Sequence, residues 1–127
     1  RTGIIAQKTG FLSHTALMVG CSLDGHIGDF VGILEIKCPK SATHLRYLRE
    51  GMVPSDYLPQ ITHNLWMTGA QWADFLSYDD RFPPSLQTFL VRVYAKDLDL
   101  GAYEAKAMAF LSEVDADVAA LKTTYSL

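Results

Sequence analysis

Residues 32–37 read Gly-Ile-Leu-Glu-Ile-Lys and are followed by Cys38-Pro39. A β-branched, apolar hexamer ending at a proline predicts a short strand, because the proline ring removes a ladder donor. Side chains alternate along a strand, so Glu35 and Lys37 share one face and Leu34, Ile36 and Cys38 share the other. The apolar set reads as core. A second mostly apolar run, residues 17–23, ends at Asp24-Gly25, and residues 25–30 carry the two glycines and the aspartate of a turn. Such a turn folds the two strands antiparallel and brings Asp24 near Glu35.

This arrangement suits one kind of chemistry. Mg2+ prefers oxygen ligands in near-octahedral geometry and usually takes one or two carboxylates, with water and substrate phosphate completing the shell. Asp24 and Glu35 are the candidate carboxylates, and the backbone carbonyl of Ile36 is a third protein oxygen. A bound cation acidifies a water and offsets charge on a phosphorane. Lys37 would stabilise the same charge or hold the nucleophile. By spacing alone, Glu-x-Lys on a strand is equally a surface hairpin with an ordinary ion pair.

The rest of the chain places this hairpin in a mixed fold. Residues 3–7 and 11–12 read as short strand pieces around a turn at 8–10. Ser41 opens a helix as a candidate N-cap, and that helix ends near Glu50-Gly51. A second helix over 56–68 stops at Gly69. Its Leu58, Ile61 and Leu65 form an apolar stripe, and Tyr57, Gln60 and Asn64 form a second stripe that can face a cleft. Strands follow at 72–78 and 86–94, separated by a two-proline turn. A long amphipathic helix from Leu100 to about Thr124 ends the chain. Its stripe of Tyr103, Ala107, Phe110, Leu111, Val114, Val118 and Leu121 reads as core, or partly as a subunit contact. His14, His26 and His63 lack ligand spacing and read as structural or solvent residues. The order predicts an α/β (α+β) fold, a central mixed sheet flanked by helices, in a single domain spanning residues 1–127.

Composition supports this. The chain has 127 residues, 49% apolar and 20% charged, enough for a real core. No apolar run approaches a membrane span, and the opening residues do not read as a basic-then-apolar signal segment. Cys21 and Cys38 are too few for a disulfide scaffold. Both fall in predicted strands, as buried reduced thiols of a cytoplasmic protein, and neither has zinc-type spacing. The formal net charge of −3 is not that of a general DNA binder, but its distribution is uneven. Residues 1–50 hold six Lys and Arg against four Asp and Glu, and residues 51–127 hold five against ten. Lys37, Lys40, His44, Arg46 and Arg49 gather after the Glu-x-Lys strand, as a phosphate-tracking cluster or as a solvated helix face. Phosphate-loop, dinucleotide and Ser-His-Asp signatures are absent from the sequence.

Five pieces occur in order: Asp24-Gly25, Glu35-Ile36-Lys37-Cys38-Pro39, Tyr57-Leu58-Pro59-Gln60, Leu65-Trp66-Met67-Thr68-Gly69 and Phe75-Leu76-Ser77-Tyr78-Asp79. Together they resemble the phage lambda exonuclease family, also called the YqaJ-like viral recombinases, of the PD-(D/E)XK nuclease superfamily. The resemblance is clear from about Leu23 to Asp80 and looser through the last helix. It implies that Asp24 and Glu35 hold the metal, that Lys37 is the catalytic lysine, and that Gln60 is the active-site glutamine one turn after Tyr57. It further implies a Mg2+-dependent hydrolase, with Mn2+ able to stand in. The expected activity is 5′→3′ digestion of linear double-stranded DNA ends for phage-type recombination, beside a single-strand annealing protein. Tyr57 and the basic cluster are expected at the DNA, the oligomer is expected to be a trimer, and the setting to be the cytoplasm of a bacterial or phage-infected cell. Leu23 stands where the family often has proline. Family members carry N-terminal helices that add an acidic residue and hold the 5′-phosphate end, and those helices are not expected in this chain, which begins at Arg1. A related endonuclease and a DNA-binding or assembly module without turnover are the alternatives.

Overall fold

A computed structural model describes residues 7, 9–14 and 16–127. The strand piece expected at 3–7 lies outside the described residues, except for Gln7, which bridges to His26. Six strands are described: β1 Phe11–Ser13, β2 Gly20–Ser22, β3 Gly25–Ile27, β4 Gly32–Lys37, β5 Trp72–Tyr78 and β6 Thr88–Tyr94. Three α-helices accompany them: α1 Ser41–Glu50, α2 Leu58–Thr68 and α3 Leu100–Tyr125.

The sheet order is β3-β4-β5-β6, with β1 and β2 forming a separate ribbon. The central β4–β5 pair is parallel and both outer pairs are antiparallel. This is the expected mixed α/β architecture. Parallel strands need a crossover connection, and here α1 and α2 supply it. Each of those helices ends on a glycine in the left-handed region, Gly51 at φ 67° and Gly69 at φ 68°. A side chain is disfavoured there, so the glycines stop the helices.

Three expectations shift in detail. The hairpin partner of β4 is β3, inside the segment read as a turn, and the turn itself is confined to residues 28–31. Gly28 and Phe30 both have positive φ there. Helix α1 begins at Ser41 rather than being capped by it, and the Ser41 hydroxyl donates to Asp79 Oδ2 at 2.7 Å instead. The two faces of β4 are also exchanged. The face read as core is the more open one: Ile36 is 41% exposed and Cys38 is exposed, whereas Ile33 and Glu35 are buried. The reason is the side on which the helices lie. Helices α1 and α2 cover the sheet face carrying Ile33, Phe75 and Phe89, and their Tyr47, Ile61 and Leu65 join the core there. Cys21 is buried as expected, and burial pushes its thiol up.

The opposite sheet face has its own order. Gly32, Trp72 and Tyr94 are in register across β4, β5 and β6, as are Leu34, Asp74 and Arg92. Arg92 pairs with both oxygens of Asp74, at 2.7 and 2.9 Å, and lies 3.5 Å over the Trp72 ring. A Cβ on Gly32 would meet that ring at 2.2 Å, so the close approach requires glycine.

Helix α3 packs on α2 through its first turns. The His63 Nε2–H donates to the Gly20 carbonyl at 2.8 Å, which leaves Nδ1 to accept from the Tyr103 hydroxyl. Trp66 packs edge-on against the same tyrosine. No α3 residue is buried. Tyr103, Ala107, Leu111 and Val114 are half-buried, whereas Phe110 is 62% exposed and Val118 and Leu121 are exposed. The stripe is therefore not core among the described residues, because the helix runs about 39 Å and only its first part has anything to lie on.

Candidate active site

The site forms where β4 ends, beneath the N-terminal end of α2. Pairing of Gly25 with Leu34 sets Asp24 beside the outgoing half of β4. Its Oδ2 accepts the Ile36 backbone N–H at 2.7 Å. Glu35 is on the helix-covered face and only 5% exposed, yet two donors meet it. Lys37 Nζ lies 2.8 Å from Oε1, and Gln60 Nε2 donates to the same oxygen at 3.3 Å. The structure thus brings Asp24, Glu35, Lys37 and Gln60, four residues drawn from three segments, together around the end of β4. The alternation of β4 aims Glu35 and Lys37 together, and one turn of α2 separates Gln60 from Tyr57.

The electrostatics follow from these contacts. The hydrogen bond that Lys37 donates to Glu35 raises the Lys37 pKa, opposed by partial burial and helped by the charges of Glu35 and Asp24. Lys37 is therefore an ammonium at neutral pH. Its Nζ also lies 4.8 Å from the centre of the Tyr57 ring. Tyr57 packs against the buried Phe75 at 5.3 Å.

The donor set fits a hard cation. Asp24, Glu35 and the Ile36 carbonyl are all oxygen donors, the type that Mg2+ prefers. Among the described residues, no three His, Cys, Asp or Glu side chains gather as a metal cage. Two carboxylates and a backbone carbonyl are the kind of protein oxygens a Mg2+ ion would use with water and phosphate completing its shell.

The basic cluster divides. Lys40, Arg46 and Arg49 are exposed, and Arg46 and Arg49 are neighbours on α1. His44 is not available to DNA. It is 0% exposed, its Nε2–H donates to the Leu86 carbonyl at 2.8 Å, and Nδ1 accepts from the Ser77 hydroxyl at 2.8 Å. Position 44 lies on the sheet side of α1, one turn before the buried Tyr47, which the spacing from Tyr47 could have indicated. Asn64, the third residue of the stripe expected to face the cleft, is also buried.

Sequence reasoning missed one supporting cluster. Asp79, just past β5, accepts from Ser41 and takes the Arg81 guanidinium on both oxygens, at 2.8 and 3.1 Å. Arg81 also reaches the Pro39 carbonyl at 3.4 Å. These bonds tie the exit of β4 to the exit of β5. The Arg81 guanidinium holds the Asp79 carboxyl far below the usual carboxylate range, with Ser41 assisting. The Asp-x-Arg spacing in the turn was the available signal.

Comparison with known proteins identifies the family and the fold. The family profile of the YqaJ-like viral recombinase domain matches residues 1–71. The crystal structure of an alkaline exonuclease, LHK-Exo, from Laribacter hongkongensis superposes with a TM-score of 0.90 at 36% identity. The match covers 98% of this chain and 64% of that one. LHK-Exo in complex with dAMP gives a TM-score of 0.89 over the same shares, also at 36% identity. The chain thus spans just under two thirds of the length of the enzyme it matches. No curated protein matches it in sequence. The fold is that of the PD-(D/E)XK nucleases, and the chain belongs to the YqaJ-like viral recombinase family.

Proposed function

We propose that this chain carries the catalytic centre of a Mg2+-dependent deoxyribonuclease, a 5′→3′ exonuclease acting on linear double-stranded DNA ends in phage-type recombination. The observation that carries this reading is the convergence of Lys37 and Gln60 on one oxygen of Glu35, with Asp24 clipped to the next backbone amide. Kinship with an alkaline exonuclease supports it. The dAMP bound by that relative is the class of product an exonuclease releases.

Asp24, Glu35 and the Ile36 carbonyl would hold the cation, which when bound supplies charge to the phosphate and acidity to a water. Mn2+ would serve in its place. Lys37, kept charged by Glu35, stabilises negative charge as the P–O3′ bond breaks. Gln60 holds the Glu35 carboxylate and offers a neutral donor at the mouth of the cleft. Lys40, Arg46 and Arg49 would track the phosphate backbone. Self-association, as a trimer, would cover part of the exposed α3 stripe, and a single-strand annealing protein would take up the product strand.

The test uses linear and closed circular duplex DNA, with Mg2+ or with chelator. The expected outcome is digestion of the linear form alone, abolished by chelator and reduced at least about a hundredfold by Lys37→Ala. Nicking of the circle would instead indicate an endonuclease. Tight binding with no cutting in Mg2+ would make the chain a binding module. Release of 5′-labelled nucleotide before 3′-labelled nucleotide fixes the polarity.

A further inference from the structure

Lys37 has two neighbours of different kinds. One is the Glu35 carboxylate at 2.8 Å, and the other is the face of the Tyr57 ring at 4.8 Å. The carboxylate is shared, because Gln60 donates to the same oxygen. In the proposed function it is also a cation ligand, so its charge is drawn away from the lysine when the site is loaded. The ring has no such competing demand. Its negative face attracts an ammonium whether or not Glu35 is engaged.

The ring is also well fixed. Tyr57 stands at the N-terminal cap of α2, with its amide donating to the Pro54 carbonyl and its carbonyl accepting from Ile61, both at 3.0 Å. One side of its ring region is occupied by Phe75, which is fully buried. A flexible four-carbon side chain is thus set against a rigid aromatic ledge built on the core.

We infer that Tyr57 is a positioning residue whose ring face, rather than its hydroxyl, holds the Lys37 ammonium at the cleft when Glu35 is taken by the cation. This differs from the DNA contact expected of Tyr57 from sequence, and it rests on the nuclease reading above.

Two measurements test it, one independent of cutting. In NMR spectra of the intact chain, the Lys37 methylene protons next to the ammonium should be shifted upfield by the ring current. The shift should persist when Mg2+ is added and in Tyr57→Phe, and vanish in Tyr57→Met, which keeps apolar bulk against Phe75. Ordinary Lys37 shifts in the wild-type protein with Mg2+ would overturn the inference, and this spectrum decides the point even where a variant does not fold. In single-turnover cleavage of linear duplex, Tyr57→Met should lose roughly tenfold in rate, and Tyr57→Phe should recover most of it. In a Lys37→Ala background, Tyr57→Met should add no further loss. Equal damage from Phe and Met, or full additivity with Lys37→Ala, would return the role to the hydroxyl and its DNA contact. A wild-type chain that does not cut counts against the nuclease reading, while the spectra still decide the ring–ammonium contact.

Discussion

Asp24 accepts the backbone N–H of Ile36 at 2.7 Å, the amide that lies between Glu35 and Lys37 in the chain. The first acid is therefore anchored to the strand that carries the second acid and the lysine. Asparagine keeps an oxygen that can accept this bond, and alanine does not. Asp24→Asn should leave the melting midpoint nearly unchanged while lowering Mg2+-dependent cleavage by at least about a hundredfold. Asp24→Ala should lose the same activity and about 1 kcal/mol of stability as well. Calorimetry and a linear-duplex assay on both variants check this.

His44 and its basic neighbours should separate experimentally. His44→Ala leaves the buried Ser77 hydroxyl and the partly buried Leu86 carbonyl without their partner. It should cost about 2–4 kcal/mol in urea unfolding, with DNA affinity unchanged in the folded protein. Alanine at Lys40, Arg46 or Arg49 should behave in the opposite way. Stability should hold, and the slope of log affinity against log salt should fall by about 0.9 for each residue that contacts a phosphate.

Gly32 is held against the Trp72 ring, and that ring carries Arg92 at 3.5 Å. Gly32→Ala forces the indole or the strand to move. The expected loss is about 1–3 kcal/mol, with a change in Trp72 fluorescence that can be read in a Trp66→Phe background.

The Asp79 clip should show as acid sensitivity. Its carboxyl is depressed in the folded protein, chiefly by Arg81. The unfolded chain therefore binds the proton more readily than the folded one. The stabilisation is fully present above the ordinary carboxylate pKa of about 4 and is lost as pH falls from there toward the folded value. Asp79→Asn should melt below the wild type at pH 7, and the gap should narrow steadily between about pH 4 and pH 2. A gap that stays constant with pH would show that Asp79 contributes through shape alone.

Much of the site was legible because it is local. Glu35 and Lys37 share a face by strand alternation, and Tyr57 and Gln60 lie one turn apart on a helix, so two-residue and one-turn periodicities were enough. Helix ends at Gly51 and Gly69 were legible for the same reason. The assignment of Ile36 to the core and His44 to the DNA, and the core half of the α3 reading, failed together, for one cause. Periodicity says which residues share a face, but not what the face meets.

The sequence by itself therefore determined the Glu-x-Lys strand, the three helices with the glycine stops of the first two, and the grouping of Asp24, Glu35, Lys37 and Gln60, because each depends on backbone conformation over a few residues or on the ordered motifs that carry them. The tertiary structure alone decided which side of β4 the helices cover, and hence that Glu35 is sheltered while Ile36 is open. It also decided that Asp74 meets Arg92 across strands, that Asp79 ties Arg81 and Ser41 to the exit of β4, and that the Tyr57 ring lies beside Lys37. Those contacts join residues far apart in the chain, and they exist only once the sheet register and the helix crossover have brought the segments together.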